Sequence, residues 1–150
     1  MDAKQDALAI TMPVLRDTME TNFFGLIENT LAFIPLLRKS KNGVITNVST
    51  RMGSNSWLGG PDGSLQQFVA YNTSKAAMNS YTIALAHELK KERIKVNAVT
   101  PGFTSSKLNF YAPGGRTLKE GASSILPIAL LDEDGPTGKF FDSDGSEISW

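Results

Sequence analysis

Two short runs rich in β-branched residues, Val44-Ile45-Thr46-Asn47-Val48 and Ile94-Lys95-Val96-Asn97-Ala98-Val99, constrain this chain more than any other feature. Each has the length and residue types of a buried strand. The stretch between them is far too long for a hairpin, and most of it has helical spacing. Strands joined in that way are parallel. Ahead of the first run, Met19, Phe23, Leu26, Ile27, Leu31 and Ile34 recur at helical intervals and predict a helix from about Val14 to Arg38, with Pro13 at its start. Pro35 should kink or shorten its last turn.

The second helix is expected to open at Ser64-Leu65-Gln66-Gln67, which has the form of a capping box, and to run to about Arg93. Thr117-Leu118-Lys119-Glu120 is another such box, starting a third helix through about Leu131. Lys139 to Asp142 reads as a short last strand. Helix and strand therefore alternate three times, which predicts a parallel sheet with helices on both faces. Ligands of such sheets bind beyond the carboxyl ends of the strands. Those ends are Val48-Ser49-Thr50 and Val99-Thr100-Pro101-Gly102.

Tyr71 and Lys75 lie four apart on the second helix and leave nearly the same face. A phenol beside a fixed ammonium is a workable acid–base pair, since the positive charge lowers a tyrosine pKa from its ordinary value near ~10. The spacing alone is weak, because an amphipathic helix with its lysine in solvent presents the same pattern.

Taken together, Thr21-Asn22-Phe23-Phe24-Gly25, Asn47-Val48-Ser49-Thr50, Tyr71-Asn72-Thr73-Ser74-Lys75 and Val96-Asn97-Ala98-Val99-Thr100-Pro101-Gly102 resemble the short-chain dehydrogenase/reductase family, in that family's order. The tail, from Lys119-Glu120-Gly121-Ala122 to Gly138-Lys139-Phe140-Phe141, is similar to its carbonyl-reductase-like branch. The resemblance implies an α/β fold, the C-terminal part of a Rossmann-like doubly wound parallel sheet with three strands and three main helices. It also implies a reductase in which Tyr71 protonates a small carbonyl substrate, or takes a proton from the alcohol in the reverse direction. Lys75 would hold the nicotinamide ribose and depress the Tyr71 pKa, and Asn22 would hold a water in a proton relay. Pro101 and Gly102 would let the backbone approach the nicotinamide, and Ser106 would bond its carboxamide. The implied cofactor is NADP(H) in preference to NAD(H).

The family's catalytic hydroxyl falls on the second of Ser49 and Thr50, so Thr50 is favoured over Ser49. Successive strand residues point to opposite faces, so only one can face the site. The interval to the tyrosine, 71 − 50 = 21, is longer than usual in the family and predicts a substrate-side flap around Trp57. Trp57, Phe110 and Tyr111 are candidates to line a substrate pocket. The glycine-rich strand–turn–helix that cradles dinucleotide phosphates has no counterpart, since no strand feeds Pro113-Gly114-Gly115. Residues 1–150 are therefore expected to be one partial domain lacking that N-terminal part. A non-catalytic remnant that acts through association with other chains is the competing reading. The edge of the Val44–Val48 strand would then stand open and invite pairing. The resemblance leaves a homo-oligomer, paired through the first two helices, and a monomer both open.

Composition excludes other classes. Fifteen basic and fifteen acidic residues cancel, so no basic stripe suggests nucleic acid and no polybasic cluster suggests an anionic membrane surface. The apolar stretch from Phe23 to Leu37 contains Glu28 and Pro35, whereas a membrane span wants about 20 apolar residues with few charges. With no cysteine and a polar N-terminus, a cytoplasmic protein without a thiolate metal site is expected. Asn47 and Asn72 match the glycosylation pattern but fall inside regular structure. His87 is expected to be an ordinary helix residue. Asp142-Ser143-Asp144-Gly145 reads as a tight turn, since it lacks the later ligands of a calcium loop.

Overall fold

The computed structural model describes residues 5–150. Its first long helical segment has three parts: α1 (Met12–Met19), a π-helical turn (Glu20–Phe24) and α2 (Gly25–Leu37). Pro13 lies in the first turn, where its missing N–H costs nothing. Pro35 sits so near the end that the helix closes normally, Arg38 donating to the Ile34 carbonyl at 3.0 Å. Strand β1 (Val44–Val48) follows, then α3 (Asn55–Leu58), α4 (Val69–Leu89), β2 (Lys95–Val99), α5 (Leu118–Ala129) and β3 (Phe140–Phe141). The three strands form a parallel sheet in the order β1-β2-β3.

Helices cover both faces, as adjacent residues of β1 demonstrate. Thr46 donates to the Ile128 carbonyl of α5 at 3.2 Å, whereas Asn47 donates to the Thr82 hydroxyl of α4 at 2.8 Å. Ile34, Leu85, Ala86, Leu89, Ile94 and Val96 form the core between α2, α4 and the sheet. At the far edge Phe140 stacks on Trp150, with ring centroids 5.5 Å apart. Asp142 to Gly145 make a tight turn in which Gly145 takes φ 86° and donates to the Asp142 carbonyl. The turn lets Ile148 return and donate to the Phe140 carbonyl. Asn47 and Asn72 are buried, so neither is a glycan acceptor in this fold, and His87 is exposed.

Two local expectations were wrong. Helix α4 does not open at Ser64: Leu65 adopts φ 64°, and the helix begins four residues later, at Val69. Its N-cap residue, Phe68, supplies no side-chain bond. Gln5 fills the role across the fold, its backbone carbonyl accepting from the Val69 N–H and its side-chain oxygen from the Tyr71 N–H, both at 3.2 Å. The second correction concerns β1, expected as a buried strand. It is half-exposed along its length, Asn47 alone being buried, because nothing among the described residues pairs with its outer edge. An open groove of about 400 Å³ runs there, lined by Val44, Ile45, Phe33 and Leu36.

Candidate active site

The site assembles where β1 and β2 end and α4 begins. Three polar ties bind α4 to β1, one on each successive turn. Thr82 meets Asn47; Asn79 accepts from the Ser49 hydroxyl at 2.7 Å; Lys75 Nζ donates to the Val48 carbonyl at 2.9 Å. Together they fix the helix against the strand, so Tyr71, one turn before Lys75, projects beyond the strand end. Lys75 Nζ lies 6.0 Å from the centre of the Tyr71 ring.

Asn22 lies in the π-helical turn. Such an i→i+5 bulge locally widens a helix and is frequent at functional positions. Its side-chain amide donates to Ser74 Oγ at 3.0 Å, and Ser74 donates in turn to the Tyr71 carbonyl at 2.8 Å. Ser74 is fully buried. The first helical segment is thereby tied to the turn of α4 that carries Tyr71.

Ser49 and Thr50 are separated by their surroundings. Ser49 is buried, with its hydroxyl spent on Asn79. Thr50 is half-buried, and its hydroxyl accepts a long 3.3 Å bond from the Met52 N–H at the start of a 3₁₀ turn, Arg51–Gly53. Gly102 takes φ 72°, a conformation that favours glycine, and a Cβ there would meet Ser143 Oγ at 2.9 Å. Ser106 caps a second 3₁₀ turn, Lys107–Asn109, its backbone N–H bonded to the Asn109 side chain and its hydroxyl accepting from Leu108. Phe110 and Tyr111, expected as pocket walls, are both exposed and both in the left-handed region, at φ 54° and 55°. Trp57 is half-buried on the short helix α3.

The electrostatics correct one expectation. Burial pushes the Tyr71 phenol above its ordinary pKa, and burial pushes the Lys75 ammonium below its own. The lysine charge does not pull the phenol down here, because the loss of water around both groups outweighs their interaction. Both shifts favour the neutral forms.

Three supports escaped the sequence reading. Asn79 was detectable in principle as a polar residue on the sheet-facing stripe, one turn beyond Lys75. Gln5 at the start of α4 had no local signal. Neither had the ion pair of Arg51 with Asp142, in which Arg51 Nε lies 2.6 Å from a buried carboxylate 91 residues away. That pair, with the Ser54 hydroxyl donating to the Ser149 carbonyl at 2.6 Å, ties the turn after Thr50 to the C-terminal hairpin.

The family model described as short chain dehydrogenase matches residues 1–113. The chain belongs to that family. Among curated members it is 30% identical to salutaridine reductase of Papaver bracteatum over 180 aligned positions, covering 97% of this chain and 56% of the relative. To (+)-neomenthol dehydrogenase of Capsicum annuum it is 32% identical, with 84% of this chain and 50% of the relative covered. The chain thus spans about half the length of the curated family members it matches. Among solved structures, the carbonyl reductase Sniffer of D. melanogaster superposes with a TM-score of 0.81 at 28% identity, over 98% of this chain and 61% of that one. An NADPH-bound carbonyl reductase from chicken fatty liver shares the fold, with a TM-score of 0.84 at 23% identity over 99% of this chain and 62% of its own. The fold expectation is met: this is the family's α/β sheet, with carbonyl-reductase-like neighbours.

Proposed function

We propose that the site is the acid–base half of an NAD(P)-dependent oxidoreductase, reducing a small carbonyl compound to its alcohol or running the reverse oxidation. One observation carries the reading: a half-buried tyrosine and a strand-anchored lysine share one face of α4 at the carboxyl end of the sheet. A bound nicotinamide would supply the hydride to the carbonyl carbon. The Tyr71 hydroxyl gives its proton to the carbonyl oxygen, which keeps the electron pair of the broken π bond. Burial keeps that phenol protonated at neutral pH, which suits a donor. The Thr50 hydroxyl donates to the same oxygen, since the Ser49 proton is spent on Asn79. Asn22 holds the water through which Tyr71 recovers its proton.

The residues present fit the nicotinamide end of the cofactor. A lysine ammonium has three donors; in Lys75 one bonds the Val48 carbonyl and another makes a long 3.9 Å contact with Met78 Sδ, leaving capacity for a ribose hydroxyl. Gly102 offers backbone with no side chain in the way, and Ser106 the carboxamide contact. We favour NADP(H) over NAD(H), a small-molecule partner, a cytoplasmic location, and no nucleic-acid or membrane partner. No helix among the described residues is long and apolar enough to cross a membrane.

A second reading is favoured by the bare edge of β1, where Phe33 and Leu36 are 58% and 59% exposed. On that reading the chain keeps the geometry without holding the dinucleotide tightly, and acts by association, with a second copy of itself as one partner. Calorimetric titration of the purified chain with NADPH and with NADH separates the two. Saturable binding, tighter for NADPH, is the outcome expected of the enzyme. Titrations that stay flat for both nucleotides, with no NADPH-dependent turnover, overturn it and leave the remnant.

A further inference from the structure

Asn79 stands one turn beyond Lys75 on α4, is 3% exposed, and its side chain makes no hydrogen bond to Tyr71 or Lys75. Both of its side-chain hydrogen bonds go to the segment that carries Thr50. Its Nδ2 donates to the Gly53 carbonyl at 3.0 Å, and its Oδ1 accepts from the Ser49 hydroxyl at 2.7 Å. The Gly53 carbonyl can only accept, so it fixes which way the amide faces. That in turn obliges Ser49 to donate. Thr50 lies between the two tethered residues. The turn is also pressed onto the helix: a Cβ at Gly53 would lie 2.9 Å from Lys75 Cβ and 3.2 Å from Asn79 Nδ2. Within the turn, Gly53 donates to the Thr50 carbonyl and Ser54 to that of Arg51, each at 2.9 Å.

We infer that Asn79 is a positioning residue, clamping Ser49 and Gly53 so that the Thr50 hydroxyl is held in place beside the Tyr71–Lys75 pair. The inference rests on the proposed function for its catalytic consequence, but its geometric content stands apart. Leaving one amide of a buried pair unmatched is costly, and the flexible turn is where the cost is relieved.

Asn79→Asp tests it in the full chain. The carboxylate keeps an acceptor for Ser49 but sets an oxygen against the Gly53 carbonyl. Amide exchange at Gly53 and Ser54 is expected to accelerate about tenfold, with the amides of Ala98 and Thr100, which bond toward β3, unchanged. Unchanged exchange at the turn, or acceleration throughout the sheet, overturns the clamp. In turnover with NADPH, kcat should fall at least about tenfold while KM for the carbonyl substrate stays within about twofold. On a Thr50→Ala background the same substitution should add nothing further, since it acts through Thr50; additive losses overturn the inference. A wild-type chain with no NADPH-dependent turnover refutes the proposed function, and exchange then decides the clamp alone. If Asn79→Asp does not fold, Ser49→Ala cuts the same tie from the strand and must give the same local acceleration.

Discussion

Strands β1 and β2 are the same length, similar in composition and paired residue for residue, yet their burial differs sharply. From Val96 to Val99 every residue of β2 is fully buried. In β1 the last residue, Val48, is 43% exposed. The difference lies in the neighbours. Strand β2 has a strand on each side and a helix layer on each face, whereas among the described residues β1 has a partner on one side only. Composition reports that a segment can be a strand; it does not report how many sides of it are covered. The two sides of β1 contrast in the same way. Toward α4 it carries a complete set of ties that place an acid–base pair. Toward its free edge it offers unpaired backbone and an apolar groove.

The largest effect tests the finished side. Tyr71→Phe removes the proposed proton donor and little else, since among the described residues the Tyr71 hydrogen bonds that join neighbouring segments are made by its backbone. General acid–base catalysis contributes roughly 10²–10⁴-fold, so turnover should fall by that factor with NADPH affinity within about twofold of wild type. Retained turnover breaks the claim that this side of β1 is a catalytic centre.

A pH profile sharpens it. Burial raises the Tyr71 pKa, so the phenol stays protonated through neutral pH and beyond its ordinary ~10. The reduction rate should therefore stay flat from about pH 6 to about 10 and fall only above that. Oxidation needs the phenolate and should climb about tenfold per pH unit over the same range. An oxidation rate already level near pH ~7 means that the lysine charge, rather than burial, governs the phenol in the working site.

The third prediction concerns the bare edge. Phe33→Glu with Leu36→Lys replaces two exposed apolar side chains lining the groove. If the edge drives association, sedimentation should show the midpoint moving at least about tenfold higher in concentration, with thermal stability preserved. An unchanged midpoint removes the groove as the associating surface.

What was legible in the sequence was local in origin. Thr117 and Glu120 form the capping box their spacing announced, with bonds of 2.8 and 3.2 Å. The same pattern at Ser64 and Gln67 failed, because Leu65 turns left-handed and the helix start is satisfied from residue 5. Tyr71 and Lys75 share a face because helical periodicity puts them there. The Arg51–Asp142 pair and the Gly53 contact with Asn79 join segments that nothing in the local pattern connects. Even the phenol's pKa depended on burial, which a spacing argument does not contain.

The smallest effect lies where that long-range information enters the site. Gln5→Ala leaves the backbone bond to Val69 and removes the side-chain acceptor for the Tyr71 N–H. Losing a helix N-terminal cap costs about 1 kcal/mol, which is about fivefold in the local opening equilibrium. The urea midpoint should fall accordingly, and exchange at the Tyr71 amide should rise about fivefold. Sequence-local capping at Phe68 cannot compensate, since that residue has no side-chain acceptor. An unmoved midpoint with unmoved exchange shows that water serves the Tyr71 amide equally well. The start of α4 then owes its position to its ties with β1 and Asn22, and needs no side-chain acceptor from residue 5.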